Sequence, residues 1–433
     1  MNIFDLSISN PKQKKRSQSA WNQIFPYYAG YPDYFARSII ASARLNDGAV
    51  VLDPWNGSGT TTYAASQVGV AALGLDINPV MVVIARSRTL PLSEADSLQP
   101  LAAEILRRAQ GEQVNCDEGD PLLCWFAKGT ADRLRSLELS IRSTLLGDQT
   151  LTPRGVNFDR VSSIAATFYV ALFNLAKNLV AAFQSSNPTW LRKPRAGEGR
   201  AEYGRDDVVD GFKEKIKSFS DALFANTDLL RFEPAPVGTK LHDSTLPFGM
   251  DSCIDLVLTS PPYCTRIDYT AATRIQLAVL SPLLDSSVDD LSRSMIGSVK
   301  VPKEIVRMRA EWGAKCVEFL ERVRAHGSYA SGTYYLKTHI DYFHKMDRSL
   351  SNIYSSLKSG GVAVLVVQDS HYKDVHNDVP SILSEMAKQR GLKLKRREDF
   401  EVKTSMSGIN PRARTYNKRC ASVESVLCFQ KDS

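Results

Sequence analysis

No stretch of the 433 residues approaches the roughly 20 apolar residues that a membrane helix needs, so no membrane partner is expected. Residues 1–20 also lack the apolar centre of a signal peptide. The seven cysteines include no Cys-x-x-Cys pair, and their odd number speaks against a disulfide framework. A reducing cytoplasm fits them best. Six histidines show no His-Glu-x-x-His or comparable spacing, so no metal is expected. The loop Gly57-Ser58-Gly59 is followed by threonines and no lysine, which sets it apart from the phosphate-binding Gly-x-x-x-x-Gly-Lys-(Ser/Thr) loop. Nucleotide triphosphate hydrolysis therefore has no support.

The composition is that of a globular chain, with 43% hydrophobic and 23% charged residues. Lysine plus arginine number 54 against 47 aspartate plus glutamate, a net +7. That excess is compatible with nucleic acid without establishing it. The basic residues cluster at 12–16, at 192–195 with Arg200, at 393–397 and at 412–419. Each cluster reads equally as a solvated surface run.

Chemistry concentrates at 254–263. The run Ile-Asp-Leu-Val-Leu reads as a buried parallel strand, and it ends in Thr259-Ser260-Pro261-Pro262-Tyr263. In open α/β sheets ligands sit beyond the carboxyl ends of the strands. Two prolines fix φ and remove two backbone donors, leaving carbonyl acceptors in a stiff loop. Ser260 adds an acceptor, and Tyr263 a flat face for stacking a base. An exocyclic amine is a weak nucleophile because its lone pair is delocalised into the ring. Two acceptors on its N–H groups favour a pyramidal nitrogen and localise that pair. A strand ending in a rigid turn is the plainer alternative.

Two further strings bear on this choice. Asp53-Pro54-Trp55-Asn56-Gly57-Ser58-Gly59-Thr60-Thr61 follows an apolar strand and opens a helix, so loop amides and a helix N-terminus face a ligand. The next strand ends at Asp76, about 20 residues on, where an adenosyl site places its ribose-binding carboxylate. Ile77 follows it. Asp76 as part of a nearby helix cap is the structural alternative.

Ser260-Pro261-Pro262-Tyr263 resembles the (Asp/Asn/Ser)-Pro-Pro-(Tyr/Phe/Trp) hallmark of the amino-methyltransferases, S-adenosylmethionine enzymes acting on cytosine N4 or adenine N6 of DNA. The glycine string is similar to their Asp-Pro-Phe-x-Gly-Ser-Gly-Thr-Thr loop, with Trp55 in place of phenylalanine. Tyr27-Tyr28-Ala29-Gly30-Tyr31-Pro32 looks like the element they pack around the methionine end of the cofactor. The resemblance spans roughly 22–90 and 241–370. It implies S-adenosyl-L-methionine as cofactor, with Tyr28, Ala29, Tyr31, Asp53, Pro54, Gly57, Ser58, Gly59, Thr60, Asp76, Ile77, Asp243 and Ser244 around it. It also implies Ser260, Pro261, Pro262 and Tyr263 as catalytic residues and double-stranded DNA as substrate. Serine at the first motif position leans towards cytosine N4, since Asp or Asn is commoner in adenine enzymes. Cys264 is not preceded by proline as cytosine-C5 chemistry requires, and is read as inert.

The expected fold is α/β, a class I (Rossmann-like) methyltransferase: a doubly wound, mostly parallel sheet with a terminal antiparallel hairpin, plus a mainly helical insertion. Residues 1–90 supply an arm and the cofactor half, 91–240 the insertion, and 241–433 the catalytic half with a variable segment at 286–335. The insertion resembles no recognition domain, and a structural role for it stays open. So do a restriction or defence partner protein, a monomer or homodimer, an RNA substrate, and a non-catalytic cofactor-binding role.

Overall fold

The computed structural model describes residues 1–12, 24, 30–112, 114–153, 155–185, 190–225, 235–264, 269–300, 306–402 and 422–432. Seven strands form the central sheet: β1 (Val50–Asp53), β2 (Ala71–Asp76), β3 (Val237–Leu241), β4 (Ile254–Thr259), β5 (Leu357–Gln368), β6 (Leu392–Val402) and β7 (Ser422–Lys431). Their spatial order is β6-β7-β5-β4-β1-β2-β3. All neighbours are parallel except β7, which runs antiparallel to both β5 and β6. This is the class I methyltransferase sheet with its terminal hairpin. β3 begins at Val237, inside the stretch expected to be insertion, because it pairs with β2 from Ala72↔Val237 onward.

The sequence reasons are plain. Parallel strands covered on both faces read as continuous apolar runs, and 362–367 of β5 are buried throughout. Helices α1 (Asp33–Ser42) and α2 (Thr60–Gln67) cover one face, where Phe35, Ile39 and Ala64 pack with Val51, Leu256, Val364 and Val426. The other face carries three later helices and Leu52, Val257, Leu365 and Leu427.

A third apolar cluster joins α3 (Pro79–Ser87) to four helices between β2 and β3. These are α4 (Leu98–Gly111), α5 (Lys128–Leu145), α6 (Ser163–Leu179) and α7 (Arg205–Ala225). The aromatic stripe Phe168, Tyr169 and Phe173 of α6 is core: each is at most 1% exposed. After β4 the chain forms α8 (Arg274–Leu280), and buried Arg135 of α5 donates to the carbonyls of Ala278 and Val279 while pairing with Asp120 at 3.0 Å. The ladder of helices is thereby fastened to α8, which follows β4 in the chain. The three helices on the second sheet face are α9 (Ala314–Ala325), α10 (Leu336–Ser356) and α11 (Val379–Gln389).

The N-terminal segment, an arm by sequence, is anchored through residue 12. Ile3 and Leu6 are buried, and the Arg396 guanidinium donates to the carbonyls of Ile3, Phe4 and Leu6. Among the described residues no helix is long and apolar enough to cross a membrane.

Candidate active site

The strand order reverses between β1 and β4, which places a crevice at their carboxyl ends. The two strands are joined there by Asp53. Its carboxylate accepts from the hydroxyls of Thr61 on α2 and Thr259 at the end of β4, each at 2.5 Å, and from the Trp55 amide at 3.1 Å. Tyr31 hydrogen-bonds Thr61 at 2.6 Å and donates to the Leu258 carbonyl at 3.2 Å. Burial pushes the Asp53 carboxyl up to about 6 against these three donors. Asp53 thus ties strand, helix and catalytic loop together.

The crevice opens into a cleft. Its walls include Gly30, Tyr31, Pro54, Gly57, Ser58, Thr60, Ile77, Asp243 and Ser244, together with Ser260, Pro261, Pro262 and Tyr263. The cofactor and catalytic candidates therefore meet in one cavity. Gly59 is not on the wall. It takes φ +84° at the head of α2, and a Cβ there would come within 2.8 Å of Ala85 Cβ, so it permits close packing of α2 on α3. Tyr28 and Ala29 lie outside the described residues, as do Arg266 and Asp268 beyond the catalytic loop.

The Asp76 carboxylate accepts from the Gly57 amide at 2.9 Å and the Asn78 amide at 2.8 Å. Burial raises its pKa to about 6, the two amides oppose that, and nearby Asp53 adds to it. The glycine loop and the ribose candidate are thus one unit. Gly74, two residues earlier, leaves room for the Asn56 side chain, whose Oδ1 accepts from Thr62. Asp243 turns its carboxylate on the Thr245 amide at 2.8 Å, and the Ser244 hydroxyl lies 3.0 Å from that of Ser349.

The Ser-Pro-Pro-Tyr loop is braced at Ser260, Pro262 and Tyr263. Ser260 Oγ donates to the Val366 carbonyl of β5 at 3.1 Å, which spends its proton and leaves its lone pairs as acceptors. The Tyr342 hydroxyl of α10 donates to the Pro262 carbonyl at 3.0 Å. The Tyr263 amide donates to the Tyr269 hydroxyl at 2.9 Å. Lys12 Nζ reaches the Tyr263 hydroxyl at 2.7 Å. Cys264 is buried, and burial pushes its thiol up to about 12, in keeping with an inert side chain.

Sequence reasoning missed several of these parts. Tyr269, Asn78, Met81, Thr273 and the segment 294–296 line the cleft, and Tyr342 and Lys12 brace it from outside. Only Tyr269, six residues from the motif, carried a local signal.

Residues 1–87 match the family model of the DNA methylases. The chain is similar to a type II methyltransferase, M.BsoBI of Geobacillus stearothermophilus: 24% identical over 292 residues, across 62% of this chain and 54% of that one. It is 21% identical over 419 residues to M.AvaI of Nostoc sp., across 90% of this chain and 82% of that one. A third relative, M.MvaI of Kocuria varians, is 22% identical across 59% of this chain and 56% of its own. The chain thus spans about half the length of the first and third. A solved S-adenosylmethionine-dependent methyltransferase from Methanosarcina mazei, 9% identical over 91% of this chain and 97% of that one, superposes with a TM-score of 0.29, too slight to bear on the site.

S-adenosylmethionine is the cofactor of the methylase family, and the cleft suits it. The first turn of α2 has no side-chain cap, so its amides remain for an anionic group. The Asp76 carboxylate suits ribose hydroxyls. Trp55, on the wall, has an indole N–H buried with no partner among the described residues, the kind of donor a ligand satisfies.

Proposed function

We propose that the protein methylates the exocyclic amine of a base flipped out of double-stranded DNA, cytosine N4 ahead of adenine N6. When bound, S-adenosylmethionine supplies an electrophilic methyl group. The chain's own residues hold and orient the amine. A base within the duplex cannot present its amino group to an enclosed cleft, so flipping is required. Tyr263 offers a half-buried, braced ring on the cleft wall for stacking. Ser260 Oγ, its proton committed to Val366, accepts one amine N–H, and the Pro261 carbonyl the other. The nitrogen lone pair is then directed by positioning and water exclusion, with no enzyme nucleophile.

The observation that carries this reading is the meeting of the Ser-Pro-Pro-Tyr loop and the glycine loop on one cleft, joined through Asp53. Serine in the motif supports cytosine. The test is a nucleoside digest, by mass spectrometry, of DNA from a methylation-deficient host expressing the protein. N4-methylcytosine is expected. N6-methyladenine keeps the mechanism and overturns the base choice, and neither mark overturns the DNA reading.

A further inference from the structure

Lys12 stands 12 residues from the N-terminus and 251 from the tyrosine it touches. Three contacts lead the chain to it: the Ser7 amide donates to Ser42 Oγ at 2.8 Å, the Tyr34 hydroxyl donates to the Asn10 carbonyl at 3.2 Å, and the Lys12 amide donates to Asn10 Oδ1 at 2.9 Å. Its ammonium then lies 2.7 Å from the Tyr263 hydroxyl, 5.4 Å from the ring centre and 3.5 Å from Glu424 Oε1. Glu424, on β7, is fully buried. Neither of its carboxylate oxygens makes a hydrogen bond among the described residues, so the ion pair with Lys12 is its compensation there. Burial raises the Glu424 carboxyl, and Lys12 opposes that.

The Glu424 end of this pair is buried while the Lys12 side chain stays 27% exposed, and desolvating a charge in this way is weak evidence of a purely stabilising role. Here the ammonium is directed at one atom of the residue meant to stack the base. Lys12 is not on the cleft wall, whereas Tyr263 is, so it approaches the ring from outside and takes no part in the chemistry itself.

We propose that Lys12, set by the buried Glu424, is a positioning residue that holds the Tyr263 ring at the angle a flipped base requires, making the N-terminal arm part of the active site. This rests on the function proposed above. Without Lys12 the hydroxyl keeps its contact with the Gly30 backbone, but the ring is held less tightly and loses stacking geometry. Cofactor binding, which depends on the glycine loop and Asp76, is untouched.

The experiment compares single-turnover methylation of duplex DNA and S-adenosylmethionine affinity in Lys12→Met, Lys12→Arg, Tyr263→Phe, and Lys12→Met with Glu424→Gln. Lys12→Met and Tyr263→Phe are each expected to slow transfer about tenfold, the scale of a modest misplacement. Lys12→Arg retains most of the rate, and cofactor affinity stays at the wild-type value throughout. The paired variant, which leaves no unpaired buried charge and keeps the fold, stays slow. Recovery of the wild-type rate in that pair would mean that Lys12 serves only to neutralise Glu424, and would overturn the proposal. So would a wild-type rate in Tyr263→Phe. If the wild-type protein itself methylates no DNA, the DNA reading fails. The clamp is then read from unfolding midpoints of Lys12→Met/Glu424→Gln, Tyr263→Phe and their combination: non-additive losses keep it and additive losses overturn it.

Discussion

Cofactor affinity should depend on pH through Asp76, in the opposite sense to the stability of the free protein. The Asp76 carboxyl is raised from 3.8 to about 6, chiefly by burial. A carboxyl that accepts ribose hydroxyls binds best when ionised. At pH 5 about one molecule in ten carries the charge, so the apparent Kd for S-adenosylmethionine should be about tenfold weaker at pH 5 than at pH 7. The cofactor's own carboxyl and amine keep their charges across this window. For the free protein the sign reverses. A folded-state pKa above the unfolded value means that the folded state binds more protons between pH 3.8 and 6. Stability therefore falls as pH rises through that window and is level above it. Asp53, also raised to about 6 by burial, acts in the same direction, and each carboxyl contributes at most about 3 kcal/mol.

Calorimetric titration with the cofactor at pH 5, 6 and 7, beside thermal unfolding of the free protein at the same values, checks both halves. Asp76→Asn should bind weakly throughout and flatten the dependence. A Kd that is unchanged from pH 5 to 7 in the wild-type protein would refute the assignment of Asp76 to the ribose, and a free-protein Tm rising over that range would refute the burial argument.

Two further substitutions test how tightly the loops are fitted. Gly74→Ala places a Cβ against the Asn56 carboxamide, 2.7 Å from Oδ1, and should cost about 1–3 kcal/mol with a loss of cofactor affinity. Adding Asn56→Ala should recover part of that loss; denaturant midpoints and titration measure both, and simple additivity would count against the clash. Gly297→Ala is strained by its φ of +75° and brings a Cβ to 2.6 Å from the Tyr263 carbonyl. It should lower the transfer rate at least as much as Lys12→Met while sparing cofactor affinity, which single-turnover kinetics and titration separate.

What the sequence reveals and what it hides divide along a physical line. The sheet was legible because parallel strands buried on both faces must be apolar throughout, and because the glycines, Asp76 and the prolines are demanded by local backbone and ligand chemistry. The four helices α4–α7 were legible as helices from their spacing, and an aromatic stripe such as Phe168 and Phe173 on one of them is more often core than contact surface, as it is here. Apart from Tyr269, the bracing of the Ser-Pro-Pro-Tyr loop was not legible. Lys12, Gly297, Tyr342 and Glu424 lie between 34 and 251 residues from Tyr263 in sequence, and each is an ordinary residue in an ordinary local context. A lysine in a basic arm reads as a solvated charge, and a glutamate in a terminal strand reads as an edge residue. Their roles exist only because the hairpin β6–β7 brings Glu424 beside β5 while the arm crosses the same sheet edge towards the catalytic loop. Motifs mark where a base and a cofactor are handled; the precision of that handling is set by distant residues that the fold alone assembles.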